Sequence, residues 1–301
     1  MSWFYLALLA PFLYAIVNLL DDNLLQYVYE GPYIATAVAG VFSALPLVSL
    51  LFLHANHISL ELGGLALLAG FLTTCYLFFY FKALGLEQPS VVIALFSLVP
   101  ATLPFLAHFF LHEQLSGLEI LGFVIVLAAS LGLAVTDIKK FKFSAALLPI
   151  LTAVILVDII SIITKHVYEH AEFYPAYMFF SAGIGIGGLY FFLIMHFNRA
   201  TAGLNKFKVS VRRVLPIFIL AEGIYILAEL TLNLAISRGP VSIVRVIEGI
   251  QPMFVLLIAL ALYPLAPKFF REAAGKNLAK KFMLMAVIIG GLILINIAVK
   301  A

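Results

Sequence analysis

Ten runs of about twenty mostly apolar residues, joined by short polar links, leave this chain few folds to adopt. They are Trp3–Leu20, Tyr33–Leu53, Leu62–Leu84, Ser90–Leu111, Leu118–Thr136, Ala145–Thr164, Pro175–His196, Val214–Ile236, Val241–Tyr263 and Phe282–Val299. Each is long enough to cross a bilayer as a helix. The runs are continuous and do not alternate with period two, which predicts helices rather than barrel strands. Only 11% of the 301 residues are charged, against about 25% in a soluble domain. That is too little charge for a water-soluble surface. No basic arm or tail points to nucleic acid. Cys75 is the single cysteine, so an intramolecular disulfide and a cysteine metal cluster are excluded. The first run lacks a basic start and a small-residue cleavage pattern, and is read as a retained helix.

The runs fall into two sets of five. Ser90 is followed ten residues later by Pro100, and Ser242 ten residues later by Pro252, at matching places in the two halves. Tyr27-Val-Tyr-Glu30 follows the first run of one half, and His166-Val-Tyr-Glu169 the first run of the other. An odd number of spans per repeat turns the second copy upside down, the arrangement many carriers use around a central site. The basic cluster Lys139, Lys140 and Lys142 marks the junction. Thirteen of the eighteen Lys and Arg residues lie in the loops after runs five, seven and nine, and three on the opposite side. The positive-inside rule then puts those loops in the cytoplasm and both termini outside.

Charged side chains inside such runs cost at least about 2.5–3.5 kcal/mol each at the bilayer centre, so they are expected to face the protein interior. Glu222, Tyr225, Glu229 and Asn233 form one stripe of the eighth run. The stripe is either a cavity wall or a polar seam bonded to neighbouring helices. Ser242, Arg245, Glu248, Gly249 and Pro252 share a face of the ninth run, with Gln251 just before Pro252. Arg245 either pairs with Glu248 three residues on, as an insertion device, or reaches Glu229 or Asp158 across a cavity. Asp158, Ser161 and Lys165 line up on the sixth run, where Lys165 is close enough to the end to snorkel. Asp158 and Glu229 are the candidate proton-coupling groups. Pro100 and Pro252 each remove a helical hydrogen bond and are candidate hinges. Asn18, Asp21 and Asp22 either cap the first run or continue it towards a vestibule. Tyr76, Phe78, Phe79, Tyr80 and Phe96 are candidates for an aromatic pocket, and Trp3 for an interfacial anchor.

Lys82-Ala-Leu-Gly-Leu-Glu-Gln-Pro-Ser90, Leu98-Val-Pro100, Phe110-Leu-His-Glu113 and then Gly122 and Gly132 form a pattern in the first half. The second half carries Asn233-Leu-Ala-Ile-Ser-Arg-Gly-Pro-Val-Ser242, Gln251-Pro252 and Gly290-Gly291. This pattern resembles the EamA-type drug/metabolite transporter superfamily. The second half has no Glu matching Glu113; Tyr263-Pro-Leu-Ala-Pro267 and a basic loop stand there. The resemblance implies a membrane carrier of small metabolites, often an exporter. It also implies termini in the cytoplasm, the reverse of the charge count.

The remaining motifs are weak. His166 and His170, or His54 and His57, have helical spacing but lack the Glu beside the first His that a zinc protease motif requires. No nucleotide-binding Gly-Lys-Ser loop is present. Gly183, Gly185, Gly187 and Gly188 sit inside an apolar run, where small residues allow close helix packing; Gly63-Gly64 and Gly290-Gly291 are read the same way.

These readings predict an all-α membrane protein of ten transmembrane helices as two inverted five-helix repeats, EamA-like over 1–138 and 144–301, in one integrated domain. The predicted function is secondary transport, by export or exchange, of a small polar or amphiphilic metabolite. The predicted substrate-binding residues are Arg245, Glu229, Asp158, Glu222, Tyr225, Asn233, Glu248 and Gln251. A solute bearing both an amine and a carboxylate, as an amino acid does, suits that mixed lining. No catalytic constellation, metal site or cofactor is expected. The expected partners are the small-molecule substrate and the lipid bilayer, with proton coupling and a homodimer left open. The expected location is a prokaryotic inner (plasma) membrane. A lipid or lipid-linked sugar translocase of the same fold, or a non-transporting scaffold, is the alternative.

Overall fold

The computed structural model describes residues 2–27, 31–53, 56–86, 92, 96, 98–134, 146–197, 202–264 and 278–300. Among these residues every regular element is helical: α1 Trp3–Tyr27, α2 Pro32–Phe42, a 3-10 segment Leu45–Leu51, α3 Leu60–Leu84, α4 Val99–Leu111, α5 Gly117–Ala134, α6 Leu147–His170, α7 Phe173–Phe197, α8 Ala202–Arg238, α9 Val241–Glu248, α10 Gln251–Leu262 and α11 Leu278–Lys300. Among the described residues, seven helical segments are long and apolar enough to cross a membrane, α2 with the 3-10 segment and α9 with α10 each counted as one. Thr102–Leu111, Gly117–Ala129 and Phe282–Ala298 are shorter apolar helical stretches, and they coincide with the expected fourth, fifth and tenth spans.

Side-chain placement is that of a protein solvated by lipid. Phe109 is 73% exposed and Leu148 74%, whereas Asp158, Glu229 and Arg245 are 3%, 6% and 7% exposed. The outward faces of α4, α5, α7 and α11 carry exposed Phe, Leu, Ile and Val side chains. Hydrocarbon solvates those faces at no cost. Ionisable groups there would be expensive, and they turn inward.

Several spans depart from continuous helices, for local reasons. Tyr33–Leu53 was expected as one span and Pro32–Leu51 is one, but within it α2 stops at Phe42 and the chain tightens into the 3-10 segment. Pro46 is the cause, since its ring and missing N–H oppose an α-helix through that point. The ninth span is two helices. Gly249 N–H turns back to Arg245 O and Val246 O, and α10 restarts at Gln251 with Pro252 in its first turn. In the fourth span, α4 likewise begins with Pro100 in its first turn; Ser90 lies outside the described residues, as do the junction lysines Lys139, Lys140 and Lys142. The eighth span, expected to start at Val214, lies at Leu215–Arg238 within a helix that begins earlier, at Ala202. Val28–Glu30 also lie outside the described residues, and His166-Val-Tyr-Glu169 closes α6.

α3 packs on both α6 and α7, α8 lies along α1, α2 pairs with α7, and α5 pairs with α11. Small residues set the closest crossings. A Cβ on Gly40 of α2 would lie 2.6 Å from Gly188 Cα of α7. The stripe on α7 read from the sequence is therefore a packing surface. The two glycine pairs divide differently: Gly291 abuts Val126 and Gly122, and Gly63 faces Phe179, whereas Gly64 and Gly290 meet nothing within 4 Å.

Candidate functional site

Most of the polar side chains that lipid would reject converge on one cavity of about 140 Å³ in the middle of the bundle. α1, α3, α6, α7, α8, α9, the α9–α10 break and the start of α4 all contribute to its wall. Its first polar cluster comes from α8 and α1. Glu229 accepts a hydrogen bond from Tyr14 at 2.7 Å, a longer one from Tyr225 at 3.5 Å, and one from Asn233 Nδ2 at 3.2 Å. Asn233 also donates to the Glu229 carbonyl at 2.9 Å, and its Oδ1 accepts from Tyr168 at 2.7 Å. Each residue of this chain fixes the rotamer of the next, so the carboxyl is held in one place on the cavity wall.

The second cluster comes from α9 and α6. Arg245 Nη1 lies 2.6 Å from Glu248 Oε2, and Arg245 Nε donates to Ser161 Oγ at 2.9 Å. Of the pairings open to Arg245, the within-helix partner is the one observed. The guanidinium and Glu248 still both face the cavity, so pairing does not remove them from it. Tyr76, Tyr80 and Phe96 form an aromatic side of the same space, with Phe96 edge-on to Tyr80 at 5.5 Å and to Tyr76 at 6.5 Å.

Of the expected residues, Tyr225, Glu229, Asn233, Arg245, Glu248 and Gln251 line the cavity. Glu222 is buried but off the lining, as is Asp158. Asp158 instead accepts from Thr102 of α4 at 2.6 Å, and its other oxygen is buried without a hydrogen-bond partner. Pro100 lines the cavity. The α9–α10 break meets the start of α4: a Cβ on Gly249 would lie 3.4 Å from the Pro100 ring. Helix α1 runs on to Tyr27, which carries Asn18 and Asp21 into the cavity wall, with Tyr80 donating to Asn18 Oδ1 at 3.1 Å. Phe78 lies elsewhere, stacked on Phe191.

Lys165 is corrected: it does not snorkel. It is 8% exposed and donates to Ile236 O and Gly239 O at 3.3 and 2.9 Å. An unpaired carbonyl at a helix end is the stronger attraction. Sequence reading passed over Tyr14, Tyr168 and Thr102. The first two had a signal: Tyr14, Asn18 and Asp21 share one helical face, and Tyr168 extends the face of Asp158, Ser161 and Lys165. Thr102, one hydroxyl in an apolar run, had none.

Apolar helices around a core of buried charge define the class, an integral multi-pass membrane protein. Residues 1–135 match the family model described as the EamA-like transporter family. Over that part of the chain the resemblance read from its motifs holds. No curated protein matches the sequence. A solved crystal structure, described only as "Crystal structure of protein", superimposes with a TM-score of 0.69 at 17% identity, covering 97% of this chain and 94% of that one. At that identity the likeness concerns the fold alone.

Proposed function

We propose that the chain is a secondary carrier that exports or exchanges a small polar or amphiphilic metabolite bearing both a cationic and an anionic group. The observation that carries this reading is the single cavity faced by both Arg245–Glu248 and the Glu229 cluster. A guanidinium presents a planar fork suited to a carboxylate, and Glu229 offers a fixed counter-charge for an amine. Tyr76, Tyr80 and Phe96 supply apolar surface between them. An amino-acid-like solute fits that spacing of chemistry.

Ten spans in two inverted repeats are part of the proposal. The packing supports them: α3 of the first half lies on α6, the first helix of the second half, and α8 lies reciprocally on α1. The paired contacts α2–α7 and α5–α11 each join equivalent helices. The basic loops after the fifth, seventh and ninth spans then face the cytoplasm. Proton coupling is assigned to Glu229 from the cavity wall. Asp158 shares it by acting through Thr102 on α4.

The test is flux in proteoliposomes with a pH gradient, using a solute found by thermal-shift screening of the purified protein. Glu229→Gln and Asp158→Asn are measured separately. Loss of gradient-driven flux with retained solute exchange in at least one variant supports coupling. Unchanged pH-dependent flux in both removes it. Absence of any saturable solute flux removes the carrier reading itself.

A further inference from the structure

The corner between α8 and α9 is held from three sides by residues that the cavity does not use. Its two helix ends leave backbone groups unpaired, which a membrane interior does not tolerate. At the end of α8, Lys165 donates to Ile236 O and Gly239 O and lies 3.3 Å from Glu169. At the start of α9 the N-cap residue is Pro240, which has no side-chain acceptor for the first amides. Glu113, from the end of α4, supplies it: its carboxylate accepts from Val241 N at 2.7 Å, Ser242 N at 3.2 Å and Ser242 Oγ. A cation thus sits at a helix C-terminus and an anion at a helix N-terminus, the arrangement favoured by both helix dipoles. The Trp3 ring packs on Gly239 so closely that any Cβ there would collide with the indole.

Glu113 is delivered by a specific turn. His112 adopts a left-handed conformation, φ 55°, and the N–H groups of His112 and Glu113 both reach back to Ala107 O. The corner itself stands at one end of the cavity. Asn233 and Ile236 on one side of it, and Arg245 on the other, are lining residues; Gly239, Pro240, Glu113, Lys165 and Trp3 are not.

We propose that Glu113 and Lys165 are positioning residues of transport, forming a latch that closes this end of the cavity by clamping the α8–α9 corner. The proposal rests on the carrier reading for its purpose and on the corner alone for its geometry. Release of the Glu113 cap frees α9, and with it Arg245, to move away from α4, which opens the cavity on the side where Trp3 and the α6–α7 connection lie. The fourth span of one half thereby controls the ninth span of the other.

Side-selective cysteine labelling tests it without any substrate. Cys75, which is off the cavity lining, is replaced by alanine, and Ile236→Cys supplies one thiol beneath the corner. A membrane-impermeant maleimide is applied to vesicles of each orientation. Glu113→Ala is expected to raise the labelling rate from the corner side by about tenfold, the population shift corresponding to loss of one strong helix cap. Glu113→Gln, which keeps an acceptor but no charge, is expected to give a smaller rise, and Lys165→Met a rise comparable to Glu113→Ala. Labelling from the opposite side is expected not to rise. Unchanged corner-side labelling in Glu113→Ala and Glu113→Gln overturns the latch, as does an equal rise from both sides, which marks general loosening. If Lys165→Met fails to fold, the Glu113 pair decides. A one-sided rise in a protein that moves no solute leaves the latch standing and removes the carrier.

Discussion

The sharpest question at the site is whether Arg245 serves substrate or only neutralises Glu248, and a double-mutant cycle separates the two. The pair is 2.6 Å apart, with side chains 8% and 21% exposed. Removing one member of a buried ion pair costs about 3–5 kcal/mol, mostly because the other charge is stranded. Glu248 retains some access to the cavity, so Arg245→Gln is expected near the low end, about 3 kcal/mol. Arg245→Gln with Glu248→Gln strands no charge and is expected to recover all but about 1 kcal/mol, the net worth of the lost Arg245–Ser161 hydrogen bond. Glu248→Gln strands the Arg245 guanidinium in turn and is expected to cost about 3 kcal/mol as well, so the coupling energy is about 5 kcal/mol. Unfolding of detergent-solubilised protein measures it. Transport is expected to diverge from stability. A charge-assisted hydrogen bond to a substrate carboxylate contributes about 1.5–3 kcal/mol, so the stable double variant is expected to bind solute roughly ten- to a hundredfold more weakly. A double variant that is both stable and as active as the parent refutes the substrate role and leaves an insertion pair.

Four further outcomes can be checked by unfolding. Tyr14→Phe removes the 2.7 Å donor to Glu229 and is expected to cost about 1.5–3 kcal/mol. Tyr225→Phe, whose contact is 3.5 Å, is expected to cost clearly less; equal losses would contradict the ranking of donors. Gly40→Ala drives a methyl into Gly188 and is expected to lose about 1–3 kcal/mol. Gly290→Ala, which meets open space inside α11, is expected to be neutral or to gain roughly 0.5–1 kcal/mol.

The helical spans were legible because a run of apolar residues can satisfy its backbone in lipid only as a helix. The α8 stripe was legible because three- and four-residue spacing places side chains on one face whatever lies opposite. What lay opposite was not legible. Glu229 is paired by Tyr14, which is 215 residues away, and no local spacing encodes that contact. Asp158 shows the limit from the other side. Its place on the α6 face was right, but α6 is rotated so that Val157, Ile160 and Thr164 meet the cavity while Asp158 meets Thr102. Periodicity gives a face and not the direction in which packing turns it. Lys165 was read by distance from the span's end, which ignored the unpaired carbonyls of a corner formed by a distant segment. Glu113 was recognised as part of a motif, yet its work at the start of α9 appears only when the two halves are packed together.

The meeting of the α9–α10 break with the start of α4 explains how these pieces act on one another. Arg245 and Glu248 lie just before the break at Gly249, on the short helix whose first amides Glu113 holds. Thr102, the partner of Asp158, lies just after Pro100. Any rotation of α9 relative to α10 therefore moves the Arg245 cluster and presses on the element that Asp158 grips. Gly249 is the residue this motion would strain first. A Cβ there would stand 3.0 Å from Val246 O and 3.4 Å from the Pro100 ring, tight contacts that still admit a methyl with small adjustments. Gly249→Ala is thus expected to fold, to bind solute within about threefold of the parent, and to turn over at least about tenfold more slowly, since it stiffens the break without touching the polar lining. Equilibrium binding set against initial flux rates separates the two effects. Equal turnover in Gly249→Ala and the parent would show that the α9–α10 break is static shape, and motion would then have to be sought in the connections between helices.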